Sequence, residues 1–549
     1  MSLGSVAKGN EAVRLKSVLC SVALASSSLS AQGRLCPRDL TIGGDLDDRA
    51  RLATLLGSGG GNLFLLRSLS SRLAPLATAR ERVSWCALRP EITTVNSTGM
   101  PFSLNDGPLW AGLGWSEAIR AGLRAQWQRF SLVLAPELFA TENLPYQLPP
   151  PPVQLPRPAG RSVFSTPWYV GAYSIDLPLR FGERGFWTLD PGQSTLAADL
   201  GSLVVGLSTE NEWWGPGIWN ALVLSNNAAG IPRAFVRTAR PVRTRLGTFG
   251  VDWFLGGLFE SSYFDATPVD DRRSLTALAT TWMPPGAPNF SLGFTRAVYA
   301  PLGGWDDIFG HTFDLLRGRG WHQAPGDSAL VPSRDQIFSL FGRWIFPGDG
   351  FAVHAEWATT DVLGVRDLLT SPNHSQGYTL GLEWARRLRA EQDALRLQAE
   401  ITYLEHSPAS RNLPEATFYT SAAAPQGYTQ RGQVIGAAIG PGSSSQWLAV
   451  DYFAPTWRVG LFGGRIRWND DALYTFPSDY DKWCKHDVSL FTGITAALTG
   501  PWGRAEASLT AGERLNVFFY HLTWCGSTAA QNDILDARPT TLRLRFSPR

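Results

Sequence analysis

The feature that most constrains this chain is an alternation of period two that recurs along it beyond Phe102. In GFAVHAEWA, Phe351, Val353, Ala355 and Trp357 share one face while His354 and Glu356 share the other. LRLQAEITY sets Leu395, Leu397, Ala399, Ile401 and Tyr403 against Arg396, Gln398, Glu400 and Thr402. VDWFLGGLFE opposes Asp252 and Glu260 to Val251, Trp253, Leu255 and Phe259, and YTLGLEWAR opposes Glu383 and Arg387 to Tyr378, Leu380, Leu382 and Trp384. Successive side chains of a strand point to opposite faces, so each segment folds as a strand with one apolar and one polar side.

A soluble sandwich alternates as well, its polar face in water. The number of such segments, the aromatics near their ends and an export signal favour a membrane barrel instead. Lys8, Arg14 and Lys16 precede the apolar run Val18–Ala25, and small residues lead to Ala31; the order is that of a secretory signal peptide cut near Ala31–Gln32. No window approaches the roughly 18 consecutive apolar residues of a transmembrane helix. A closed barrel satisfies every backbone group in lipid, and its signature is alternating segments with aromatic girdles. At about 24 residues per strand and connection, the chain beyond the N-terminal region accommodates roughly 16 to 18 strands.

The division expected is a signal peptide over 1–31, a helical segment over 32–100 and an outer-membrane barrel over 101–549. Leu recurs at helical spacing on both sides of Gly57–Gly61, so two short helices are expected there, too short to span and docked on something larger. The chain ends TTLRLRFSPR, with Leu542, Leu544 and Phe546 facing lipid and Arg543 and Arg545 the lumen.

Lys and Arg number 49 against 47 Asp and Glu. No basic patch offers the footprint of a nucleic-acid partner. Export would leave Cys36, Cys86, Cys484 and Cys525, an even set in an oxidising compartment; sequence proximity favours Cys36–Cys86 and Cys484–Cys525 among three possible pairings. No pair has zinc-ligand spacing, and no cofactor site is expected. The lysines left after export, Lys482 and Lys485, cannot complete a phosphate loop, and neither H-E-x-x-H nor G-x-S-x-G is present. Glu356 with Asp361 is the carboxylate pair that glycoside cleavage would use. No catalytic residues are expected.

The segment Glu210–Val236, ENEWWGPGIWNALVLSNNAAGIPRAFV, is dense in aromatics, turn residues and amides. Read locally, Gly201–Ser208 is one strand, Ala221–Leu224 begins the next, and Trp213–Gly217 connects them with its indoles at a membrane interface. Glu210 and Glu212 must then face the lumen or water. Glu212, Asn226, Asn227 and Arg233 either tie a turn or plug loop to the wall or exchange hydrogen bonds with sugar hydroxyls, Trp213 and Trp214 stacking beside them. Arg366, Asp367, Asn373 and His374 lie in a loop and are further glycan-contact candidates. Asp252, Glu260, Arg343, His354, Glu356, Glu383, Arg396 and Glu400 alternate inward as a salt-bridged lumen network.

WWGPGIWNALVLSNNAAGIPRAFVRTARP with LGTFGVDWFLGGLFE, then DQIFSLFGRWIFPGDGFAVHAEWA, VRDLLTSPNHSQGYTLGLEW and GYTQRGQVIGAAIGPGSSSQW, resemble the capsule assembly Wzi family of bacterial outer-membrane proteins over roughly Asn105 to Trp447. The resemblance implies an all-β, monomeric antiparallel barrel of about eighteen strands with a small helical element on the periplasmic side. It also implies no enzymatic activity and a lectin-like role in anchoring capsular or extracellular polysaccharide, in contact with outer-membrane lipid and lipopolysaccharide. The rival expectation is a porin-like channel passing small solutes, since a barrel of this size can hold an aqueous pore.

Overall fold

The computed structural model describes residues 35–36, 42–58, 65–68, 83–148, 157, 159–166, 174–267, 271–318, 320–323, 330–360, 365–370, 375–388, 392–407, 417–475, 486–519 and 536–549. The expected signal peptide, Cys484, Cys525, Asp361, Asn373 and His374 lie outside them. The wall is a closed antiparallel barrel of eighteen strands. Three of the strands are broken into two segments each: Phe130–Leu134 with Glu137–Thr141, Phe186–Asp190 with Thr195–Asp199, and Arg233–Thr238 with Val242–Thr244. Closure comes where Val83–Thr98 pairs with the last strand, Thr540–Pro548, so that Ile92 faces Phe546 and Thr98 faces Thr540. Closure removes the unpaired edges that hydrocarbon would not tolerate.

The expected alternation is observed. In Phe351–Thr359 and Ala394–Tyr403 the polar set is buried inward, while Leu397, Ile401, Leu380 and Leu382 are exposed on the outer surface. Aromatic rings gather near the strand ends on that outer face, as in Trp344 with Phe346 (4.8 Å between centroids) and Tyr378 with Tyr403 (5.3 Å). This is the lipid-facing band with its girdles.

The hairpin connections are of two kinds. At one end they span two to six residues, as at 128–129, 347–350 and 501–502; at the other they span twelve or more, as at 142–185, 209–232, 302–334 and 404–443. Both Val83 and Pro548 stand at the short-turn end.

Two expectations about the N-terminal region need correction. The barrel begins at Val83, ahead of the boundary placed at 101, because Val83–Thr98 carries sixteen residues of wall strand. Of the two expected helices, α1 (Asp45–Leu55) is present, but Leu66–Ser68 is a short strand paired with Glu212–Trp214. Buried in the lumen, that pairing satisfies backbone groups which a frayed helix end would leave open. The helix does not stand apart from the barrel. Leu52 and Leu55 of α1 pack on Ile345, Ala352, Ala385, Ala394 and Phe453, the inward residues at the short-turn end. Disulfide Cys36–Cys86, with Cα atoms 5.0 Å apart, ties the chain ahead of α1 to the first wall strand, as sequence proximity suggested.

Candidate functional site

Among the described residues the lumen holds several pieces of this chain; two of them, 209–232 and α1, are held by buried charges on the wall, and 417–439 packs against the first. From Ser208 at the long-loop end the chain leaves the wall and returns at Arg233, which pairs with Ser208 in the next strand. The intervening 209–232 crosses the interior. Glu400, inward on Ala394–Tyr403, accepts the backbone N–H groups of Ile218 (2.5 Å), Trp219 (3.0 Å) and Asn220 (2.8 Å). A carboxylate receiving three N–H bonds is a strong, charge-assisted anchor. His354 lies 3.2 Å from the same carboxylate, over Gly381, which has no side chain to displace it. Glu356 accepts the Leu222 N–H at 3.3 Å, and the Tyr419 hydroxyl donates to the Leu222 carbonyl at 2.7 Å.

This explains what Glu210–Val236 is for and corrects the local reading. Trp213 and Trp214 are 3% and 1% exposed, deep in the interior and away from lipid. Ala221–Leu224 begins no wall strand; it is the core of the crossing loop, and the strand resumes at Arg233. The alternation of a wall strand is missing from this loop because both its sides face protein. Of the expected glycan contacts, Glu212 takes Arg233 at 2.6 Å. The Asn227 amide donates to the Val434 carbonyl at 2.9 Å, and the Asn226 amide to the Asn105 carbonyl at 3.2 Å. These side chains tie the plug to its surroundings.

The second piece is α1. Arg51 forks onto Glu383 at 2.7 and 2.8 Å, and Arg343 reaches the same carboxylate at 3.0 Å. Arg396 bridges Asp48 (2.8 Å) and Asp451 (2.7 Å), and Arg458 joins both. Arg67, over the Trp213 ring, pairs with Asp47 at 3.1 Å, which links helix and crossing loop. Arg343, Glu383 and Arg396 thus form ion pairs at α1, while His354, Glu356 and Glu400 cluster at the crossing loop, where Glu356 accepts a backbone N–H. Asp252 is buried inward near the Arg233 and Arg237 group, while Glu260 sits at a strand end, half-buried, accepting from the Gln426 amide at 2.6 Å. Arg387 is exposed at a strand end. Sequence reasoning missed Asp47, Asp48 and Arg51; the signal was the charge density of DLDDRAR, unsuited to a helix resting on an apolar surface.

Burial pushes the Asp48 carboxyl up, but the Arg396 and Arg458 guanidiniums outweigh it and hold the pKa at about 2. A depressed carboxyl stabilises the docked helix above its unfolded pKa near 4, by about 2 kcal/mol, and the contribution is lost as pH falls from about 4 through 2. Protease cleavage within α1 is expected to rise over that acid window. In Asp48→Asn it should be raised already at neutral pH and respond less to acid.

The inner wall by Gly503–Leu515 and Thr540–Pro548 is less filled. Arg543 and Arg545 keep about a quarter of their side-chain surface, pairing with Asp106 at 2.5 Å and with Glu91 and Glu506 at 3.7 Å each. The space there, lined also by Arg120 and Glu137, amounts to about 70 Å³.

A larger chamber of about 210 Å³ opens at the long-loop end above the plug, lined by Phe102, Trp110, Tyr146, Trp468, Asp487 and Phe518 among others. Arg514 forks onto Asp487 at 2.8 and 2.6 Å, its guanidinium 4.8 Å from the Trp468 ring and 4.9 Å from the Phe518 ring. Phe518 is held with φ of 55°, a left-handed backbone costly for an aromatic residue, and its N–H donates to Asp487 at 2.8 Å. Nothing in the sequence pattern marked this chamber, whose lining comes from separate loops and the ends of three wall strands. Arg366 and Asp367 lie on α2 (Val365–Thr370), also at the long-loop end, with Arg366 exposed.

These features define a plugged eighteen-stranded barrel of the outer-membrane type. Among solved structures the chain is similar to Wzi, described as an outer membrane protein involved in group 1 capsule assembly in Escherichia coli and as a carbohydrate-binding β-barrel. The TM-score is 0.51 at 13% identity, over 83% of this chain and 84% of that one. Pseudomonas aeruginosa OccK7 matches with a TM-score of 0.37 at 10% identity (86% of this chain, 100% of that one), and OccK2 of the same organism, solved with glucuronate, with 0.36 at 11% (84% and 98%). The likeness to Wzi is one of fold. No family model and no curated protein sequence matches.

Proposed function

We propose that this protein is a non-catalytic outer-membrane barrel that binds surface or capsular polysaccharide and helps to hold or assemble it at the cell surface. The observation that carries the reading is the plug: segments of the chain, 209–232 and α1 among them, are bonded across the lumen to buried wall charges, which favours recognition over passage as the use of the barrel. Outer-membrane barrels turn short connections to the periplasm and long loops outward. On that rule α1 closes the periplasmic end, while the aromatic chamber and Arg366 with Asp367 face the outside. Rings such as Trp110 and Trp468 suit the C–H faces of sugars, and the Asp487–Arg514 pair suits hydroxyls or carboxylates at their rims. The description of Wzi as carbohydrate-binding agrees with this reading. The protein acts as a monomer after removal of its signal peptide, among outer-membrane lipid and lipopolysaccharide.

The channel reading draws on the less filled wall at Arg543 and Arg545, but a space of 70 Å³ is small beside a solute-conducting bore. The test is binding of capsular polysaccharide from the source strain to the protein in lipid nanodiscs. Trp110→Ala or Trp468→Ala is expected to weaken binding about tenfold, the equivalent of one lost ring contact. Absence of binding by the unaltered, folded protein would overturn the proposal.

A further inference from the structure

One segment of the long-loop end turns neither into the lumen nor away from the barrel: it lies on the outer wall. Between the strands Phe290–Pro301 and Asp335–Phe346 the chain forms two short 3₁₀ turns, Trp305–His311 and Asp314–Leu316. Phe313 stacks on Trp253 with centroids 6.4 Å apart, and Trp305 packs on Phe259 at 5.4 Å. Trp253 and Phe259 belong to the outward set of their strand, opposite the buried Asp252 and Phe254. Trp305 also covers Gly257, where a Cβ would come within 2.6 Å of the indole.

The wall beneath is built for this cover. Arg296 faces outward, in register with Leu278 and Phe338. An outward guanidinium against lipid would be costly without partners. It donates to the carbonyls of Leu315 (2.6 Å) and Arg317 (3.1 Å), and to the side-chain oxygen of Gln336 at 3.1 and 2.7 Å. The neighbouring outward residues Val298 and Ala300 are fully covered, while Leu292 and Leu340, further down the same strands, are open like the rest of the lipid-facing surface. Inside the lobe, Asp314 is buried and bound by His311 (2.6 Å), Arg317 (3.2 Å) and Arg334 (3.1 Å). The lobe is thus folded, yet it turns three large apolar side chains outward: Phe309 is 78%, Phe313 61% and Leu316 83% exposed.

We propose that Trp305–Leu316 is a membrane-embedded lobe whose Phe309, Phe313 and Leu316 enter the acyl chains of the leaflet at the long-loop end. The partner follows from continuity: the apolar face extends the barrel's lipid-facing surface at the level of the outward aromatics Trp253 and Phe338. Within the lobe Asp314 and the carbonyl of Leu315 are turned inward, while the exposed Asp306, Asp307 and Arg317 belong at the headgroup level beside the apolar face. The lobe enlarges the lipid contact on one side of the barrel and gives it a preferred leaflet and depth.

Spin labels test this in proteoliposomes, with Cys484 and Cys525 replaced by Ser and the Cys36–Cys86 bridge kept. Labels go at Leu316→Cys or Phe309→Cys, with Leu448→Cys on the lipid face and Arg366→Cys on α2 as references. Collision with dissolved oxygen is expected to exceed collision with a water-soluble nickel complex at 316 and 309, as at 448, and the preference to reverse at 366. Gly257→Val, which crowds Trp305, should shift the label at 316 toward nickel while the barrel keeps its heat-resistant mobility on gels. Nickel preference at both 316 and 309 in the folded parent would overturn the proposal, as would exclusion of both probes, which would indicate a protein partner on this face.

Discussion

Glu400→Ala is expected to release the crossing loop at Ile218–Asn220 and turn a closed barrel into a conducting one. The substitution removes the acceptor of three backbone N–H groups, at Ile218, Trp219 and Asn220, and the partner of His354. Charge-assisted hydrogen bonds contribute about 1.5–3 kcal/mol each, and donors left buried without an acceptor add their own cost. Losses of this kind are not additive, so the penalty to the docked loop is on the order of 5 kcal/mol. The contacts that remain, Glu356 and Tyr419 at Leu222, Asn227 at Val434 and the pairing with Leu66–Ser68, still hold the rest of the loop, so the opening is expected to be intermittent and centred on Ile218–Asn220. Wall strands keep their hydrogen-bonded neighbours, so the barrel should still run as a folded species on unheated gels. Current steps absent from the parent should appear, and Glu400→Gln, which retains one acceptor oxygen, should show a smaller effect.

The second large effect is expected at Glu383, where one carboxylate serves two guanidiniums from different elements, Arg51 of α1 and Arg343 of the wall, together with the Gln398 amide at 3.0 Å. Glu383→Ala leaves two like charges buried side by side. Breaking a buried pair from one end costs about 3–5 kcal/mol, most of it the orphaned charge. The helix should come away from the wall, seen as proteolysis within 45–55 and a lower midpoint of thermal unfolding. Replacing Arg51 by Met in the same chain removes one orphan, so the double variant should recover part of the loss. A double variant as unstable as the single would show that Arg343 alone sets the cost.

The wall was legible and the path of the plug was not, for one physical reason, although the tie of Asn226, Asn227 and Arg233 to a plug loop was one of the two readings. A lipid-facing strand has only two environments, hydrocarbon and lumen, so the choice at each position follows a period of two; Leu397 and Glu400 could be assigned from that alone. In 209–232 both sides of the chain meet protein, and what each residue touches depends on wall positions far along the sequence, as Asn220 on Glu400. The pair Trp213–Trp214, suited by chemistry to a membrane interface, is instead fully enclosed against Arg67 and Phe254. Helix α1 was found by its Leu spacing. Its destination was written in Asp47, Asp48 and Arg51, which make sense only opposite charges that a single segment does not show. The two ends of the barrel became distinguishable once hairpin lengths separated them, and the aromatic chamber, drawn from several loops and strand ends, had no local signature at all.

A lumen closed by the chain's own plug passes no current, and single-channel recording of the purified, folded protein in a planar bilayer reads this out. Silence is expected from the parent protein under conditions where Glu400→Ala conducts. Steady, voltage-tolerant ohmic steps from the parent would contradict that closure and make the barrel a channel.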